Sequence, residues 1–182
     1  MLQQRTRKCC IKGCTNRFVR RSITHKVCSP ECAAKLAESI RIDKSKKDIA
    51  TRREAMKSRS DHLKELQSVF NLFIRLRDVG LFCISCGRNH SGQYHAGHYL
   101  AVGSHPELRF HELNVHKQCS VCNNHLSGNQ IEYRKGLIKK IGVEAVEMLE
   151  GKHEAKKYTI AEILELKQIY KLKAKELKNA CS

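Results

Sequence analysis

The 182-residue chain has no tryptophan, few aromatic residues (5%) and no long apolar run. No stretch approaches the ~20 apolar residues that a membrane-spanning helix needs, and Met1-Leu2-Gln3-Gln4-Arg5 carries no apolar signal-peptide core. These absences argue against a membrane partner and against secretion, and they point to the cytosol. Hydrophobic residues make up 41%, so the core is expected to be modest and metal staples would help it. Neither proline nor glycine occurs between Pro30 and Gly80, so nothing there forbids a helix. Acid is also scarce. Against 35 Lys+Arg stand 18 Asp+Glu, a formal charge of +17. The excess is uneven: positions 1–60 hold 17 basic and 5 acidic residues, a surplus of +12. A basic segment gains affinity for a polyanion by releasing condensed counterions, so nucleic acid is the expected partner.

Cysteine, by contrast, is plentiful, at ten residues. In the cytosol, short-spaced pairs favour metal over disulfide. Cys83-x-x-Cys86 and Cys119-x-x-Cys122 have the spacing of a tetrahedral zinc site, one pair on a hairpin and the other at a helix start. A second zinc site is expected near the N-terminus, where Cys9 or Cys10, but not both, joins Cys14, Cys28 and Cys32. Cys181 reads as a tail residue. Each four-thiolate zinc site carries about −2, so two of them lower the total to about +13 and leave the basic character intact.

The predicted fold is α+β and mostly helical, in four stretches. Residues 1–35 form a zinc-ribbon-like module, and 36–80 a basic helical arm running into an amphipathic helix. Residues 81–135 form a metal module and 136–182 the C-terminal helices. The helix is expected from Pro30 to about Val79, charged and exposed through Lys57. After Ser60-Asp61, Leu63, Leu66, Val69, Phe70, Phe73, Ile74 and Arg77 recur at three and four, giving a face that should pack on the metal module. Further helices are predicted over 129–141 and 143–149, and Thr159-Ile160-Ala161-Glu162 reads as a capping box opening the last one.

Within the metal module the histidines and amides carry the chemistry. His98, Asn114 and Asn123 are spaced as in the metal-dependent nuclease motif called HNH, so 81–135 is expected to be a treble-clef or HNH-type ββα-metal unit. His98 is the candidate general base, since an imidazole that titrates near neutrality can take a proton from water. Asn114 is expected to accept the proton on the far ring nitrogen and so fix the tautomer. Asn123, with His95 and His125, is expected to hold a catalytic divalent ion, rigidly because Cys119 and Cys122 are pinned. Arg52, Arg53, Lys57, Arg59, Arg109 and Arg134 are the candidate DNA contacts, with the backbone around Ser127-Gly128-Asn129 close to phosphate. His116 is expected to pack beneath the knuckle rather than ligate, and His105, His111 and His153 are read as ordinary.

The run Cys83-Ile84-Ser85-Cys86-Gly87-Arg88, with Gln93-Tyr94-His95-Ala96-Gly97-His98-Tyr99, Gly103-Ser104-His105-Pro106-Glu107-Leu108-Arg109-Phe110 and Asn123-Asn124-His125-Leu126-Ser127-Gly128-Asn129, resembles the NinG (Rap) proteins of lambda-like phages. The likeness extends to Cys28-Ser29-Pro30-Glu31-Cys32 and Lys157-Tyr158-Thr159-Ile160. It implies a phage recombination endonuclease in the cytoplasm of the host bacterial cell. Such an enzyme cuts branched DNA, Holliday junctions and D-loops, with a divalent metal. The wider HNH pattern places Asp immediately before the base; Gly97 stands there, and His95 is the candidate substitute ligand. Mg²⁺ or Mn²⁺ is the expected catalytic ion, and an imidazole-rich site would also tolerate Ni²⁺ or Zn²⁺. The long helices offer apolar stripes for a homodimer. The alternatives are a non-catalytic, zinc-dependent junction-binding recombination module and a nuclease acting on RNA.

Overall fold

The computed structural model describes residues 6–180, so Cys181 lies outside the described residues. The chain divides into two compact units, residues 6–57 and 58–180 among those described. In the first, strands β1 (Thr6–Lys8) and β2 (Arg17–Val19) pair antiparallel, and helix α1 (Pro30–Ala55) follows. Ser29 caps α1 by accepting the Cys32 N–H, and Pro30 sits in the first turn, where its missing N–H costs nothing. Only Cys32 of α1 is buried. The surface of this helix is charge-rich, with Ile40, Ile42 and Ile49 exposed among the charges, and so is consistent with the charged arm read from the sequence.

The helix expected to run unbroken to Val79 is interrupted. Met56 ends α1, and Ser58 starts α2 (Arg59–Arg77) with a capping box: Ser58 Oγ accepts the Asp61 N–H, and the Asp61 carboxylate accepts the Ser58 N–H at 3.0 Å. A side chain that satisfies the orphan N–H groups of a new first turn favours a restart over continuation, although neither Pro nor Gly is present. The second unit continues with β3 (Tyr94–His98), β4 (Val115–Cys119), α3 (Gln130–Ile141), α4 (Val143–Glu150) and α5 (Ile160–Ala180). The expected box at Thr159 and Glu162 is formed at the start of α5.

The apolar face of α2 packs chiefly on α5, and only secondarily on the metal module as expected. Leu66, Phe70, Phe73 and Ile74 meet Ile163, Tyr170 and Ala174, with Phe110, Val115 and Ala96 closing the cluster. Phe70 meets Phe110 and Tyr170 edge-on at centroid distances of 5.6 and 4.7 Å. Such pairs add about 0.5–1.5 kcal/mol to the burial of the rings. A second cluster joins Tyr99 and Leu108 to Tyr133, Leu137, Val146 and Leu149 of α3 and α4.

β3 and β4 form an antiparallel ribbon between the clusters, in the register Tyr94↔Cys119, His95↔Gln118, Ala96↔Lys117, Gly97↔His116 and His98↔Val115. Paired residues share a face and successive residues alternate. Ala96, His98 and Val115 therefore lie toward the α2–α5 cluster. His95, Gly97, His116 and Gln118 lie on the other face, where the Tyr133 hydroxyl donates to the Gly97 carbonyl at 2.8 Å. Asp78, 2% exposed, ties α2 to this ribbon. Its carboxylate accepts from the Arg77 guanidinium at 2.9 and 2.8 Å, from Lys140 Nζ at 3.1 Å and from the Lys117 backbone N–H at 3.1 Å. Burial raises its pKa, but Arg77 and Lys140 outweigh that and hold it at about 2.

Candidate functional site

Each unit holds one sulfur cluster. Cys83, Cys86, Cys119 and Cys122 place four Sγ atoms within 4.8 Å of one another, and Cys9, Cys14, Cys28 and Cys32 do the same in the N-terminal unit. There the contacts Cys14–Cys28, Cys28–Cys32 and Cys14–Cys32 are 3.6, 3.7 and 3.9 Å. The edge of a tetrahedron with Zn–S bonds of ~2.3 Å is about 3.8 Å, so the donors fit zinc without rearrangement. Cys9 is the fourth donor. Cys10 is exposed and outside the cluster, which resolves the adjacent pair.

In the second cluster three sulfurs accept an N–H and the fourth meets a histidine ring nitrogen, which can donate to a thiolate in its Nε2–H form. Cys119 N–H points at Cys83 Sγ (3.4 Å), Cys122 N–H at Cys119 Sγ (3.5 Å), Asn129 Nδ2 at Cys122 Sγ (3.6 Å) and His90 Nε2 lies 3.2 Å from Cys86 Sγ. One donor per sulfur suits four thiolates around a cation. Burial pushes the Cys83 thiol up, but the backbone N–H groups of Cys119, Cys86 and Ser85 more than offset it and lower its pKa. Both four-cysteine sites can bind zinc.

His98 ends β3, half-buried. Its Nε2 lies 3.0 Å from the Arg109 carbonyl oxygen. A carbonyl can only accept, so Nε2 carries the proton and Nδ1 keeps its lone pair. Among the described residues Nδ1 has no hydrogen-bond partner, and it is not sealed from solvent. Burial lowers the His98 pKa, the Arg109 carbonyl partly opposes this, and the Arg109 charge lowers it further, which favours the neutral ring. The Arg109 side chain is in turn held on α2, where its Nε donates to Gln67 Oε1 at 2.8 Å.

This geometry corrects the role expected of Asn114. Among the described residues its side chain makes no hydrogen bond to His98. Fully buried, it accepts the Leu100 N–H at 2.8 Å and donates to the Leu100 and Leu108 carbonyls at 3.1 and 3.2 Å. A planar amide with one acceptor and two donors satisfies the Leu100 N–H and carbonyl and adds a second bond to the Leu108 carbonyl, which also accepts the His111 N–H at 3.1 Å; that is a stronger demand than aiming a ring. Asn114 thus shapes the loop that presents the Arg109 carbonyl.

The remaining residues expected around the base are dispersed. His95 and His98, three apart on a strand, face opposite ways. Asn123 and His125 lie in a wide π-helical turn, Val121–His125, after the sulfur-bearing end of β4. His98 is at the other end of the ribbon, four residues or about 13 Å along the strands. Asn123 Nδ2 donates to Asn124 Oδ1 at 2.6 Å, and His125 is exposed. Among the described residues, His95, His98 and His125 are not gathered within 4.8 Å of one another. His95 Nε2 is nevertheless sealed without a hydrogen-bond partner, and so is Oε1 of Gln118, its cross-strand neighbour. Gln118 Nε2 donates to Ser85 Oγ (2.7 Å) and the Gly128 carbonyl (2.5 Å), which fixes the direction of Oε1. A Cβ on residue 97 would stand 2.1 Å from that oxygen, so Gly97 leaves room for Gln118 rather than for a carboxylate. His116 is buried as expected; burial, then Lys140 and Arg77, lowers its pKa to about 3.

Of the candidate DNA contacts, Arg52 and Arg53 are exposed in the last turn of α1. The others have internal work. Lys57 pairs with Glu54, Arg59 Nε donates to the Tyr158 carbonyl at 2.6 Å, Arg109 holds Gln67, and Arg134 forms a two-point ion pair with Glu150 at 2.8 and 3.0 Å. Sequence reasoning missed Gln118, the Arg109 carbonyl, Asp78 and His90. Only His90, four residues beyond Cys86, stood at a spacing that could have flagged it.

The fold and sites define a ribbon-centred, mostly helical protein with two four-cysteine centres able to take zinc. Residues 1–180 match the family model described as Bacteriophage Lambda NinG protein, and the chain belongs to that family. It is 42% identical over 173 residues to Protein ninG of Escherichia phage lambda, covering 85% of each chain. It is 38% identical over 200 aligned positions to Protein ninG of Salmonella phage P22, covering 100% of this chain and 98% of the relative. With Protein ninG of Escherichia phage 933W it shares 46% over 137 residues, 75% of this chain and 68% of the relative. No solved structure matches the chain. No helix among the described residues is long and apolar enough to cross a membrane.

Proposed function

We propose that the chain is a phage recombination protein, a divalent-metal-dependent endonuclease selective for branched DNA, acting in the host cytoplasm. The observation that carries this reading is the His98 ring. Its Nε2–H is anchored on the Arg109 carbonyl, its pKa is lowered by burial, and its Nδ1 is left toward solvent. A neutral, oriented imidazole beside water is the requirement for a general base at neutral pH. The HNH-type reading of residues 81–135 agrees with it, since a sulfur-pinned ribbon and a following helix hold the base. A divalent ion would neutralise phosphate charge and stabilise the leaving oxygen. The dispersed positions of His95, Asn123 and His125 do not form a complete donor set, so the proton transfer at His98 is the step these residues support. DNA would be gripped through exposed Arg52 and Arg53 and the +12 surplus of positions 1–60.

The exposed, charge-rich α1 and the incomplete donor set favour a second reading, a junction-binding module without catalysis. Native protein and His98→Ala, each loaded with zinc, are incubated with a synthetic four-way junction in Mg²⁺ or Mn²⁺. The native chain is expected to nick it, and the variant to be slower by about 10²–10⁴-fold with binding unchanged. Retained cleavage by His98→Ala removes His98 as the base. A native chain that binds but never nicks supports the binding module.

A further inference from the structure

Between the end of α2 and Cys83 the chain exposes three large apolar side chains in four residues: Val79 at 59%, Leu81 at 45% and Phe82 at 63%. The segment is fixed on both sides. Leu81 N–H donates to the Asp78 carbonyl (3.0 Å), and buried Lys117 Nζ donates to the Val79 and Leu81 carbonyls at 2.9 and 2.8 Å. Cys83 then enters the sulfur cluster. Beside it lies a groove of about 320 Å³ whose lining includes Leu81, Phe82, Ile84 and Gly136. Its floor is tight, for a Cβ at Gly136 would meet the Ile84 carbonyl oxygen at 1.9 Å. A tip held this firmly can present an apolar wedge without first losing conformational entropy.

The charges around it select the occupant. Arg75, one helical turn before Val79, Arg88, whose carbonyl accepts the Cys83 N–H at 3.1 Å, and Lys139, next in the chain to groove-lining Lys140, are exposed and carry no ion pair among the described residues. The one acid in the groove, Asp78, is buried beneath Arg77 and Lys140. A second copy of the chain is poorly suited, because a two-fold contact through this patch would set the same cations against one another. An anionic backbone carrying apolar, stackable faces fits both features.

We infer that the tip at Val79, Leu81 and Phe82 inserts at the branch point of DNA, with Phe82 stacking on an unpaired base. This rests on the branched-DNA reading above but not on cleavage. Junction opening would supply stacking partners that a continuous duplex withholds, so the tip would favour branched over linear DNA.

The test uses the full, zinc-loaded chain without added Mg²⁺ or Mn²⁺, and a four-way junction with 2-aminopurine at the crossover. Native protein should raise the fluorescence on binding. Phe82→Ala should abolish most of the rise and weaken junction binding by about tenfold, leaving linear-duplex affinity unchanged, while Phe82→Trp keeps both. The side chain is exposed, and equal zinc content checks that each variant is folded. Junction binding with no fluorescence rise, or equal loss on junction and duplex, overturns the inference but spares the branched-DNA reading. Failure of the native chain to bind any junction overturns both. A native dimer in sedimentation that Phe82→Ala dissociates would assign the patch to self-association instead.

Discussion

Replacing Asn114 by Asp separates two accounts of the base. If residue 114 touched His98, a carboxylate there would form an Asp–His pair and raise the imidazole pKa by a unit or more. The structure demands another outcome. The Asn114 amide donates to two carbonyls, Leu100 and Leu108, and a carboxylate would present oxygen to both. Each buried group left unsatisfied costs about 1–3 kcal/mol, and the introduced charge is itself buried, so a loss of about 3–5 kcal/mol is expected for Asn114→Asp. Asn114→Ala, which removes all three of its hydrogen bonds, the one accepted from the Leu100 N–H included, without adding charge, should lose about 3 kcal/mol. These are large shares of the ~5–15 kcal/mol that holds a domain. Urea unfolding in zinc buffer measures the loss, and imidazole NMR titration follows His98. Its pKa should stay below the ordinary histidine value of 6.5, because burial and not residue 114 sets it. Destabilisation under ~1 kcal/mol, or a His98 pKa raised by about a unit, would refute the argument.

Metal content tests the N-terminal cluster: Cys9→Ser should drop bound zinc from about two ions per chain to about one, whereas Cys10→Ser should retain both. Zinc loss in the Cys10 variant would reverse the assignment. Asp78 makes a pH prediction. Its folded pKa is depressed from 3.8 to about 2, so its ionic contribution is fully present above pH 4 and disappears as pH falls through about 2. The shift corresponds to about 2 kcal/mol. Asp78→Asn should therefore be less stable than the parent at pH 6, and the two acid-unfolding curves should converge toward pH 2. A gap that persists there would mean that packing, not charge, makes the difference.

Local patterns were legible in the sequence because their information lies within a few residues. The paired cysteines, the box at Thr159 and Glu162, the apolar rhythm of Leu66, Phe70, Phe73 and Ile74, and the charged face of α1 all follow from ligand spacing and helical period. The restart at Ser58 was also written there, in Ser58 and Asp61, but the absence of Pro and Gly masked it.

The tertiary structure alone decided which groups meet. His98 is aimed by a main-chain carbonyl eleven residues away, a group that every residue carries and no composition reveals. Asn114 turned inward because the Leu100 N–H and carbonyl needed partners beside it, and Gly97 is small because Gln118 crosses it from the neighbouring strand. The cations expected on DNA at Arg59, Arg109 and Arg134 are engaged by a carbonyl, an amide and a carboxylate 99, 42 and 16 residues distant. Spacing specifies what a segment can offer. Partners brought together by chain folding determine what each side chain is left free to do.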